Sequence, residues 1–131
     1  MTVLYLCGAY SLLFALFHAG FWRIFGWRRD LPNLSNIEAF GIDRRIMHVL
    51  NIQMIWVLIA VAFVCFAFPA DLVGTGLGRT FLVCSSVFWL VRAALQPVFM
   101  GGKVVTSLIM TMVFLVGAVL FALPVFNVMF S

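Results

Sequence analysis

The sequence predicts an all-α fold: a polytopic integral membrane protein whose four transmembrane helices form one bundle. Both termini are expected outside, with a short interfacial helix in the cytoplasmic loop between the first two spans. Three observations predict this. Of the 131 residues, 66% are hydrophobic and 9% charged, so eight basic and four acidic side chains are too few to clothe a water-soluble globule. The mean hydropathy of +1.21 says the same. The apolar residues fall into four continuous runs, each long enough to cross about 30 Å of hydrocarbon at about 1.5 Å per residue. Five of the eight basic residues lie together between the first two runs, which is a topological pattern rather than a nucleic-acid footprint, despite a formal charge of +4.

The runs are read at about 3–22, 46–68, 77–97 and 104–124, and 1–131 as a single transmembrane domain. Long unbroken runs mean helices, since barrel strands would alternate over about ten residues. No basic segment precedes the first run and no A-x-A site follows it, so it is expected to stay as a helix rather than be cleaved as a signal. Trp22 and Trp27 flank its inner end, where indole rings settle at headgroup level.

The segment Arg23–Arg45 carries Arg23, Arg28, Arg29, Arg44 and Arg45 against three carboxylates, and is placed in the cytoplasm. Within it Leu31-Pro32 marks a turn, and Ser35 to Glu38 has capping-box spacing closed by Gly41, which predicts the interfacial helix. Asp43 is the expected N-cap of the second span, and Pro69 its end. Gly74-Thr75-Gly76-Leu77-Gly78 has neither a preceding strand nor a following Lys-Ser/Thr, so it reads as the outer turn and not a phosphate loop. Its Gly74/Gly78 G-x-x-x-G pair sits at the membrane edge. Pro97 with Gly101-Gly102 is expected to form the tight turn into the fourth span, beside the cytoplasmic Lys103.

Ionisable groups within spans are costly, so His18, His48 and Arg92 are the first candidates for function. Counted from Arg23, Arg45 and Pro97, all three come to similar depth near the cytoplasmic face, with Asn51 beside His48 and Gln96 one turn beyond Arg92. The five residues define a polar intramembrane layer for a ligand or ion. Cys7, Ser11, Phe14 and His18 share one helix face, and Ser85, Trp89, Arg92 and Gln96 another; Ser107 and Thr111 make a small-residue face on the fourth span. His18 and His48 could ligate the iron of a haem b, with arginines near its propionates. The plainer alternative has the histidines hydrogen-bonding across helices while Arg92 satisfies carbonyls or snorkels. No H-x-x-x-H or E-x-x-H spacing marks a metal site, and Cys7, Cys65 and Cys84 are neither a C-x-x-C pair nor an even framework. They read as packing residues, with a soft-metal site as the alternative. The methionines are scattered and read as packing as well.

No embedded carboxylate is available to couple protons to a cation, which disfavours a proton-coupled cation exporter. The leading expectation is a non-enzymatic protein of the cell membrane (the inner membrane if bacterial). It would be either a small transport or channel subunit that homo-oligomerises or a component of a larger membrane complex, with the lipid bilayer and no nucleic acid as partner. The alternatives are a haem-binding redox subunit using His18 and His48, and a membrane enzyme acting on a lipid or quinone through His18 and Arg92.

Overall fold

A computed structural model describes residues 1–24, 44–99 and 104–129, and among these the chain is entirely helical apart from short joints. The helices are α1 (Thr2–Ile24), α2 (Arg44–Ala67), α3 (Pro69–Gly74), α4 (Gly76–Phe99) and α5 (Val104–Met129). Four of them are long and apolar enough to cross a membrane, over Thr2–Gly20, His48–Ala67, Gly76–Val98 and Val105–Met129. The interfacial helix expected at Ser35–Glu38, the Leu31-Pro32 turn, Asp43, Trp27, Gly101-Gly102 and Lys103 lie outside the described residues.

Local chemistry explains the joints. Phe68 leaves the helical region at φ −128°, ψ 45°, and Pro69 then opens α3 at a position where its missing N–H costs nothing. Thr75 serves both neighbouring helices: its N–H and its hydroxyl donate to the Asp71 carbonyl at 3.0 and 2.8 Å, closing α3. The same Oγ1 accepts from the Gly78 N–H at 3.0 Å, which is the N-cap bond of α4. Gly78 is also where α3 and α4 meet, because a Cβ there would overlap the backbone of Asp71 and Leu72. Gly74 and Gly76 face open space, so the close approach at the G-x-x-x-G pair belongs to Gly78 alone.

Two prolines correct the boundaries read from the sequence. Pro97 does not form the turn into the last span but lies inside α4, which continues to Phe99. Pro124 lies inside α5, which runs on to Met129. Each proline deprives the carbonyl four residues earlier of its helical donor, a loss that a membrane helix makes good from a neighbour. For Pro124 the orphaned acceptor is Leu120 O, and Cys7 Sγ donates to it across the helices at 3.2 Å.

The chain divides into two packed units, Met1–Gly8 with Val64–Ser131, and Ala9–Phe63. In the first, Leu4, Cys7, Cys65, Leu82 and Phe121 are fully buried, and Tyr5 stacks on Phe66 with centroids 6.2 Å apart. Gly8 lets that ring lie flat on α1, since a Cβ would stand 2.9 Å from it. The α4–α5 pair is antiparallel: Ser86 Oγ donates to Ala118 O at 2.7 Å and Trp89 stacks on Phe114 at 6.0 Å. In the second unit Ser11, Phe14, Ala15, Leu58 and Ala62 are buried. These contacts join the helices by close packing and hydrogen bonds, the interactions that hold helices together where the solvent is lipid.

Candidate functional site

The polar residues singled out from the sequence fall into two groups, one in each unit. In the Ala9–Phe63 unit, His18 on α1 and Asn51 on α2 form a reciprocal pair. Asn51 Nδ2 donates to the His18 carbonyl at 3.0 Å, while its Oδ1 stands 2.9 Å from His18 Nδ1. The first bond fixes which way the amide points, because a carbonyl can only accept. Oδ1 is therefore an acceptor, Nδ1 must carry a proton, and the imidazole is oriented by two atoms of one side chain. Phe17 meets the ring edge-on at 6.1 Å. The His48 side chain, three residues before Asn51, is exposed on α2. Ser11, on the His18 face of α1, is fully buried and its hydroxyl lacks a partner.

In the other unit, Arg92 is half-buried and its guanidinium carbon stands 4.6 Å above the Phe114 ring, a cation–π contact, with no carboxylate beside it among the described residues. Asp71 is the one acidic residue among those described. It belongs to α3 at the far end of α4, about 24 Å along the helix axis at the standard rise. One turn beyond Arg92 on the same face, Gln96 is only 4% exposed and its Oε1 has no hydrogen-bond partner. Ser107 Oγ on α5 is likewise buried and unpartnered. Continuing the antiparallel register from the Ser86–Ala118 and Arg92–Phe114 contacts brings Gln96 level with the Ser107–Met110 turn. Ser107 lies on the face of α5 that carries Phe114 and Ala118, seven residues before the first of them. Thr111 by contrast satisfies its own hydroxyl on Ser107 O at 2.9 Å.

The cysteines separate by environment. Cys7 and Cys65 are buried and Cys84 is exposed, and all three are free thiols. Among the described residues no three His, Cys, Asp or Glu side chains are grouped to hold a metal ion. The unsatisfied hydroxyls and the Cys7 bond to Leu120 O were invisible in the sequence, although Pro124 was a usable signal that some residue must serve the carbonyl it orphans. Comparison of the chain with protein-family models, curated proteins and solved structures finds no match.

Proposed function

We propose that the chain is a multi-pass integral membrane protein of the cell membrane, with both termini outside, acting as a non-enzymatic helical subunit. It works either as a homo-oligomer in transport or as part of a larger membrane complex. The supporting observation is that only 17–33% of the residues in each spanning window are buried within the chain. Most of the rest is apolar side chain, which needs lipid or the helices of another subunit. The reciprocal polar bonds of His18 with Asn51 serve as a clasp between helices. Resistance of the membrane-bound protein to alkaline carbonate extraction, with a native mass in detergent at a multiple of the 14.7 kDa chain, is the expected result. Release by carbonate would remove the reading, and a strictly monomeric mass with no co-purifying subunit would remove its second half.

One observation favours a second reading, haem b ligation. An imidazole that donates Nδ1–H to a fixed oxygen presents Nε2 as its lone-pair nitrogen, the arrangement by which outer groups orient metal-bound histidines. A Soret band lost in His18→Ala would establish it. A colourless protein would leave the subunit reading in place.

A further inference from the structure

The geometry points to a phospholipid-headgroup site at the Gln96/Ser107 end of the α4–α5 hairpin, selective for a phosphodiester whose alcohol carries free hydroxyls, as in phosphatidylglycerol. It rests on the membrane reading above. Three features of one helix face specify the chemistry. Among the described residues the Arg92 guanidinium meets the Phe114 ring and no carboxylate, and asks for an anion. Gln96 Oε1, buried and unpartnered, asks for a hydrogen-bond donor. Ala93, adjacent and buried, contributes a carbonyl whose helical donor Pro97 cannot supply. The unpartnered Ser107 hydroxyl serves either role. A simple anion would answer Arg92 and leave Gln96 Oε1 without a donor, whereas a second cation would meet Arg92 one turn away. A phosphate ester bearing hydroxyls answers all of them. Arg92 lies six residues before Val98, the end of the span, so its Cα is about 9 Å from that end at the helical rise, a distance that a snorkelling arginine side chain largely covers.

Delipidated protein in neutral detergent is titrated with short-chain phospholipids and read by native mass spectrometry. Phosphatidylglycerol is expected to bind about tenfold tighter than phosphatidylcholine, and severalfold tighter than phosphatidylmethanol, which has the same charge but no hydroxyl. Arg92→Gln should abolish the first preference and Arg92→Lys retain part of it. Gln96→Leu should keep the first preference and lose the second. Melting temperatures in detergent identify any variant that has not folded, and the Lys variant then carries the comparison. Equal binding of phosphatidylglycerol, phosphatidylcholine and phosphatidylethanolamine by the folded wild type overturns the site and leaves Gln96 and Ser107 to buried water. Displacement by equimolar glycerol 3-phosphate overturns the lipid as ligand while keeping the headgroup chemistry. Carbonate extraction tests the membrane reading separately, so the two failures are distinguishable.

Discussion

At the scale of single residues, the His18–Asn51 pair is a clasp whose strength can be measured. Two hydrogen bonds of 2.9 and 3.0 Å join α1 to α2, within helices apolar enough to cross a membrane. Polar contacts between membrane helices are nonetheless modest, because the separated helices find other partners. Asn51→Leu is expected to lower unfolding free energy in mixed micelles by about 1 kcal/mol, and the cycle with His18→Phe to give a coupling of about 0.5–1.5 kcal/mol. A coupling indistinguishable from zero would mean the pair holds nothing together. Both residues were on the list drawn from the sequence, but their pairing was not legible there. It depends on the register of α1 against α2, which neither helix encodes alone. Gln96 and Ser107 show the same limit: each was noted on its own helix, and only the antiparallel register makes them one level.

At the scale of elements, the α3–Thr75–α4 corner carries the sharpest expectations. Gly78→Ala drives a methyl into backbone that has no rotamer to change, so a loss of about 1–3 kcal/mol is expected. Gly74→Ala meets nothing and should be neutral or slightly stabilising through loss of unfolded-chain freedom. Thr75→Ala should cost about 1 kcal/mol by removing the cap of α4, and Thr75→Ser should restore it. Melting of the four variants in one detergent compares them, and equal effects at Gly74 and Gly78 would refute the packing assignment. The prolines are where sequence reading failed at this scale. Pro97 reads as a turn residue by rules drawn from soluble helices, yet it lies within a helix, as Pro124 does. A proline in a membrane span costs less than in water-soluble proteins when a neighbouring helix answers the carbonyl it frees, and that neighbour is not visible from composition.

For the whole molecule, the four long apolar helices were legible because lipid imposes the strictest pattern in protein sequences, an unbroken run of sufficient length. If orientation follows the distribution of basic residues, Met1→Cys and Ser131→Cys should react with an impermeant maleimide added to intact cells, and Ser35→Cys only after lysis. The reverse pattern would invert the topology. Function was far less legible, because the groups that carry it are few and each also makes sense as packing.

The bond from Cys7 to the carbonyl freed by Pro124 couples two positions 117 residues apart in their effect on stability. With Pro124 present, Cys7→Ala should cost a few tenths to about 1 kcal/mol. With Pro124→Ala, whose N–H returns to Leu120 O, the same change should cost almost nothing. The effect of altering one site would then depend on which residue the other already held. A lineage acquiring the proline first would pass through a less stable ancestor, whereas one acquiring the thiol first would meet no such valley. Stability measured for the four combinations of these two positions would show which route was open.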